Sequence, residues 1–330
     1  MALDSRPTSD LGGIGRYSRC LLKALRDTAR ASDEVLDTNR PSATVRSRRP
    51  DVFHSPWMDG AMLHSPCPMV VTIHDVAALK RRSEQLRNSM RLRMRPLAVQ
   101  RAMSVIVPSE AVGSDAVKHL RLEHERIVVI SEAADASMYR RTPDQIARAR
   151  ERFGLPERYL VWVGALQHPD PGTQISKLAA TPRELPLVLV GPTRPWAHEL
   201  PDVLLTGQVS DDHLAAIYSG AHALVVPSTE EGFGLSAVEA LACGTPVVAA
   251  ESPALREVLG ERARFVRADD MRALIEAAQG ATRPAPAPPP WSWEDAARET
   301  WGVYAQAIAA SGSRTSTRAL RRHPASGLGA

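Results

Sequence analysis

Apolar residues in this chain gather in short, nearly unbroken runs. The runs are DVFH (51–54), MVVTIH (69–74), SVIVP (104–108), RIVVI (126–130), YLVWVG (159–164), LPLVLVG (185–191), DVLLTG (202–207), HALVVP (222–227) and TPVVAA (245–250). Such runs predict strands buried on both faces, as in parallel sheets covered by helices. Segments of helical character lie between many of them, at 110–120, 143–153, 211–219, 236–243 and 253–259. Strand–helix alternation of this kind predicts an α/β fold with doubly wound parallel sheets. The first part of the chain fits less well. Only Met1 to Asp4 precede the first glycine loop, SDLGGIGRY, and EVLDTNRPSATVRSRRP (34–50) carries little strand signal. The N-terminal sheet is therefore expected to be short by a strand or two.

At about 150 residues per domain, 330 residues predict two domains. The polar helical stretch YRRTPDQIARARERFGLPER turns through Gly154 and Pro156 into a new strand, which places the boundary near 140–158. The divisions expected are 1–150, 151–288, a helix over 289–310 after the PAPAPPP stretch (284–290), and a disordered Ser/Arg/Gly-rich tail over 311–330. No run of eighteen apolar residues is present and the N-terminus lacks the pattern of a secretory signal, so a cytoplasmic location is expected. Three scattered cysteines, Cys20, Cys67 and Cys243, form neither a disulfide framework nor a zinc spacing. The net charge of +4 is mildly basic, but no stacking aromatics interleave with the arginines, and nucleic-acid binding is not expected.

The candidate chemistry centres on EGFGLSAVEALACGTPVVAA, residues 231–250. Glycines that lead into a helix let the backbone approach a ligand, and the exposed amides with the helix dipole attract phosphate. Glu239 one turn into that helix suits ribose hydroxyls, and Glu231 before the turn suits a sugar hydroxyl beyond the phosphates. Taken alone, Ser236-Ala237-Val238-Glu239 reads as an S-x-x-E capping box, which would make Glu239 structural.

Glu231 and Glu239 in E-G-F-G-L-x-x-x-E, followed by A-x-x-x-G-x-P-V-V, resemble the signature of the retaining family 4 glycosyltransferases. GGIGRYSRCLLKAL (12–25), VVTIHDVAALK (70–80), VIVPSEAVGSDAVKHL (105–120), TGQVSDDHLAAIYSGAHALVVPSTEEGFGL (206–235) and WSWEDAARETWGVY are similarly characteristic. The resemblance implies the GT-B fold, two facing Rossmann-like domains with the site in the cleft. It also implies transfer from a nucleotide diphosphate sugar, GDP-mannose being the commonest guess, with no metal or other cofactor. The acceptor would be a glycan, lipid or small molecule. Glu231 would hold donor-sugar hydroxyls and Glu239 the ribose. The amides of Gly234, Leu235 and Ser236 would face the diphosphate, Gly207-Gln208-Val209 would lie beside the base, and Gly12 and Gly13 would approach the phosphate from the other domain. His74 would sit near the reacting sugar, with Asp75 beside it structural.

The sequence departs from that pattern in one place. The family's Arg-Lys pair after the first strand of the second domain is replaced by Gly172-Thr173, and no Arg or Lys occurs between Arg158 and Lys177. Loss of a preorganised charge on the leaving group costs about 3–4 kcal/mol, on the order of a hundredfold in rate. A degenerate nucleotide-sugar-binding or scaffold protein with little turnover is therefore the alternative to an enzyme. An epimerase of the same fold lacks support, because the paired glutamates point to transfer. The basic segment KRRSEQLRNSMRLRMRPLAVQRA (80–102) reads either as a crossover helix with a solvated basic face or as a peripheral membrane contact.

Overall fold

The computed structural model describes residues 1–77, 90–167, 169 and 172–320. The chain forms two six-stranded sheets, each wholly parallel. The N-terminal sheet contains β1 (Ala2–Asp4), β2 (Leu36–Thr38), β3 (Phe53–Ser55), β4 (Met69–Thr72), β5 (Ser104–Val107) and β6 (Ile127–Val129), in the order β2-β1-β3-β4-β5-β6. The C-terminal sheet contains β7 (Leu160–Val163), β8 (Leu187–Val190), β9 (Val203–Gly207), β10 (Ala223–Val226), β11 (Val247–Ala250) and β12 (Ala263–Val266), in the order β12-β11-β10-β7-β8-β9.

The described helices of the first half are α1 (Gly13–Asp27), α2 (Pro41–Arg48), α3 (Met90–Val99) and α4 (Glu110–Leu120). Those of the second half are α5 (Pro143–Phe153), α6 (Ile175–Ala180), α7 (Asp211–Gly220), α8 (Leu235–Ala242), α9 (Pro253–Leu259), α10 (Met271–Gln279) and α11 (Trp293–Leu320). Adjacent strand residues point to opposite faces, and both faces are covered. In β4, Val70 joins the cluster under α1 and α11, while Val71 joins the cluster under α4. In β7, Val161 packs beneath α7 and α8, while Leu160 and Trp162 pack beneath α6 and α10. Two-sided burial explains why these strands read as unbroken apolar runs.

The N-terminal sheet is not short of strands. β1 lies between β2 and β3, and Ala2, Leu3 and Asp4 are fully buried. Backbone pairing on both edges carries this three-residue strand, and β2 carries only one buried side chain, Thr38. Neither leaves a hydrophobic run long enough to read. The tail also needs correcting. α11 continues to Leu320, so residues 311–320 are helical, and only 321–330 fall outside the described residues. Once the packed stretch from Trp293 to Ala307 has nucleated the helix, each added residue gains a hydrogen bond without repeating the nucleation cost.

α11 belongs to the second half by sequence but packs on the first. Trp293, Ala297, Val303, Tyr304 and Ala307 share a core with Leu3, Tyr17, Leu21 and Leu25. The segment 80–102 lies partly outside the described residues. Within it, Arg95 is ion-paired with Asp59. Among the described residues, no helix is long and apolar enough to cross a membrane.

Candidate active site

A cleft of about 300 Å³ opens between the two sheets. In the second half it lies over the C-terminal ends of β7 and β10, where the strand order reverses. Such a switch point leaves a crevice between diverging connections, and ligands of open α/β sheets settle there. The opposite wall is the N-terminus of α1 with its glycine loop.

The turn 231–234 shows why glycines are needed here. A Cβ at Gly232 would lie 1.7 Å from the carbonyl oxygen of His74, so the two halves touch backbone to backbone at this point. Ser109 Oγ, which also caps α4, donates to the Gly232 carbonyl at 2.8 Å and fixes the approach. Gly234 has φ +87° and is the N-cap of α8, a conformation that L side chains rarely adopt. Because the cap is Gly234 rather than Ser236, the capping-box reading of Glu239 fails. The helix starts two residues earlier than that motif requires, and Glu239 lies buried inside it.

Most of the residues expected at the site meet in the cleft. Glu231, Leu235, Ser236 and Glu239 line it, with Gln208 and Val209 from the β9–α7 turn and Gly12 and Gly13 facing them. Gly207 and Gly234 are not among the lining residues, and their positive φ values, +68° and +87°, shape the adjoining turns. The Gly12 amide donates to Asp10 at 2.9 Å, whereas Gly13 faces open space.

His74 is not among the lining residues. Its Nε2 lies 2.9 Å from the Pro56 carbonyl and its Nδ1 lies 3.1 Å from Glu132. A carbonyl only accepts, so Nε2 carries a proton and donates to it. Burial disfavours the imidazolium, but the Glu132 hydrogen bond and charge outweigh it, so the His74 pKa is raised. Asp75 accepts from the Ala77 amide at 2.9 Å, a local turn contact.

Glu239 is buried and its pKa is pushed up to about 7, first by burial, with Arg16 opposing and Asp211 and Asp135 adding to the rise. Arg16 Nε lies 3.1 Å from Glu239 Oε1, and Arg16 Nη2 lies 2.5 Å from Asp211 Oδ1. The pair with Glu239 is close but poorly aligned, so Oε1 accepts no hydrogen bond. Tyr218 donates to Oε2 at 3.5 Å, the outer limit of a hydrogen bond.

No local sequence pattern singles out Arg16, Arg19 or Asp211. Arg16 lies in the GGIGRY stretch, one turn past the glycine loop, where a helix side chain faces the same way as the loop's amides. The Lys and Arg residues among the described lining are Arg16 and Arg19, and Arg19 is committed to the carbonyls of Thr8 and Asp10, each at 2.8 Å. Thr173 lines the cleft where the sequence suggested a missing cation, whereas Lys177 donates to Gln174 at 3.3 Å and does not line it.

Two parallel-sheet domains, with helix N-termini on both walls of the cleft between them, match the GT-B class of glycosyltransferase folds. Residues 157–282 match the family model "Glycosyl transferases group 1" and residues 29–137 match "Glycosyltransferase Family 4". The chain belongs to the family 4 glycosyltransferases.

Among curated relatives, the D-inositol 3-phosphate glycosyltransferase of Mycolicibacterium gilvum is 31% identical over 64% of this chain and 53% of its own length. The protein of the same name from Mycolicibacterium smegmatis is 29% identical over 86% of this chain and 72% of its own length. The MMP alpha-(1->4)-mannosyltransferase of Mycolicibacterium hassiacum is 30% identical over 62% of this chain and 54% of its own length. The chain thus spans about half the length of two of these three relatives. The solved sucrose-phosphate synthase of Thermosynechococcus elongatus superimposes with a TM-score of 0.66 at 20% identity, covering 98% of this chain and 99% of that one.

Proposed function

We propose that the protein transfers a sugar, with retention of anomeric configuration, from a nucleoside diphosphate sugar to an acceptor held by the N-terminal half. The observation that carries this reading is the meeting of two helix N-termini, α1 and α8, on one cleft lined by Glu231 and Glu239. Amides at helix starts favour a diphosphate from both sides. The two carboxylates then take what flanks a diphosphate in such a donor, hydroxyls of the transferred sugar at Glu231 and the ribose diol at Glu239. Gln208 and Val209 lie where the base would rest. In the reaction the bond from the sugar's anomeric carbon to the phosphate oxygen breaks, and its electron pair leaves on the diphosphate. The acceptor oxygen bonds to the same face of that carbon, and its proton passes to the departing phosphate. Donors present in mannosyl transfer are the first to test, given the relative of that name, and GDP-mannose heads them. In this reading His74 holds the Glu231–Gly232 turn in place through its backbone. No metal is required by the roles assigned to these residues.

A binding protein without turnover is the weaker reading. One of its two supports, a shortened N-terminal domain, is removed by the six-stranded sheet. The test is a thermal-shift screen with GDP-, UDP- and ADP-sugars, followed by transfer assays with the binder. A bound donor at a hundred times its Kd adds about 2.7 kcal/mol of apparent stability. Glu231→Ala is expected to keep nucleoside diphosphate binding and lose transfer. A screen in which no nucleotide sugar raises the Tm would overturn the reading.

A further inference from the structure

We propose that Arg16 is a positioning residue for ribose recognition. Reaching over from the first domain, it holds the Glu239 carboxylate in the place where a ribose diol docks, so that a ribonucleotide is recognised only when both domains are engaged. The proposal rests on the nucleotide-sugar reading and deepens it.

The geometry is specific. Glu239 lies on α8 of the second domain, and the Arg16 side chain enters from α1 of the first, 16% exposed and anchored at its far end by Asp211 on α7. Glu239 shows spare acceptor capacity in a buried place. Oε1 accepts no hydrogen bond and Tyr218 barely reaches Oε2. A buried carboxylate with unused lone pairs is costly unless a donor arrives, and a vicinal diol supplies two donors. A protonated carboxyl would meet the same diol with a donor of its own and bind it less well. The charge state of Glu239 therefore matters. The groups that bear on it are Arg16 and Cys20 from α1, Asp211 and Tyr218 from α7, Asp135 from the segment after β6, and Cys243 at the end of α8. Burial raises the Glu239 pKa to about 7, and Arg16 is the foremost influence against that rise. Without Arg16 the carboxyl would stay protonated to higher pH.

The test compares GDP and UDP with their 2′,3′-dideoxy counterparts by titration calorimetry between pH 6 and 8. The ratio of the two affinities cancels the titration of the phosphates and isolates the diol. In the wild type the preference for the ribonucleotide is expected to rise about tenfold across this range, as Glu239 ionises. Arg16→Met should move that rise to higher pH and lower the preference at pH 7.5 about fivefold or more, with Arg16→Lys recovering most of it. Asp211→Asn, at a side chain 53% exposed where folding is not at risk, should move the rise to lower pH, because it removes a negative charge facing Glu239. Should Arg16→Met fail to fold, Arg16→Gln, which also lacks the charge, and Asp211→Asn carry the test.

An uncharged Arg16 variant that keeps the wild-type preference and midpoint overturns the proposal. So does an equal loss of ribo- and dideoxynucleotide affinity at every pH, which would make Arg16 a general clasp between the domains. A wild type that binds nucleotides without any preference for the diol removes the role of Glu239, and with it that of Arg16, while leaving the nucleotide-sugar reading standing. A wild type that binds no nucleotide overturns both.

Discussion

Glu239 was legible in the sequence as chemistry but not as electrostatics. Its spacing from Glu231 and the glycines between them pointed to one shared site, and both carboxylates line one cleft. What surrounds it came from elsewhere: Arg16 from far earlier in the chain, Asp211 from another helix and Asp135 from the connection between domains. Those partners meet only after both sheets have formed, so no local pattern encodes them. The capping-box reading failed for the same reason, since whether a serine caps depends on where the preceding turn lets the helix begin. The folded-state pKa of Glu239 is raised from 4.5 to about 7, so the empty protein binds its proton more tightly than the unfolded chain does. Stability is therefore lost as pH rises from about 4.5 through 7, and ionised Glu239 weighs against folding above that. Glu239→Gln should leave the urea midpoint nearly unchanged at pH 4.5 and raise it at pH 8. An equal shift at both pH values would place the effect outside this ionisation.

Among the elements, each long apolar run became a strand: in most of them burial on both faces demands unbroken hydrophobicity, and the half-buried edge strands β6 and β9 carry equally apolar runs. The strands that did not show, β1, β2 and β12, are short or half-buried. β12 reads ARFV with one exposed and three half-buried residues, so its membership comes from pairing with β11 rather than from its own composition. Turns carried more information than their length suggests. Gly232 has no room for a side chain, because the His74 carbonyl occupies the place. Gly232→Ala is expected to push the domains apart at this contact and reduce transfer by about tenfold or more, since reacting groups misplaced by about 1 Å lose on that scale. Both sheets should stay folded. Small-angle scattering would register a larger radius of gyration, with the circular dichroism of the wild type retained. A variant that keeps the wild-type radius and rate would mean the turn accommodates the methyl by local movement alone. Gly302→Ala, on α11 where nothing lies within 4 Å, is the control and should leave both readings unchanged.

In the whole molecule, what holds the halves together is distributed. Glu257 of α9 accepts from the Glu110 and Ala111 amides at the start of α4, at 2.7 and 3.0 Å, so a carboxylate of one domain finishes a helix of the other. At the far end Tyr304 of α11 lies 2.7 Å from His54 Nδ1, and His54 Nε2 lies 2.9 Å from Thr72, which in turn lies 3.0 Å from the Tyr17 hydroxyl. Burial lowers the His54 pKa to about 3, so the imidazole is neutral and each ring nitrogen has one partner. Tyr304→Phe should cost about 1–3 kcal/mol by leaving a buried nitrogen unsatisfied, and hydrogen exchange should quicken in β3 and β4 before it does in β8 or β11. Uniform quickening in both sheets would show that the halves unfold as one unit. The division into two domains was visible in the sequence, but this network was not, since its members come from four separate elements. α11 gives the polypeptide an unusual relation to the protein it makes. The chain leaves its first half after β6, builds the second, and then comes back to finish the first. A protease that cut the connection between β6 and α5 would sever the backbone and still hold one object, because the second fragment keeps the last helix of its neighbour lodged in place.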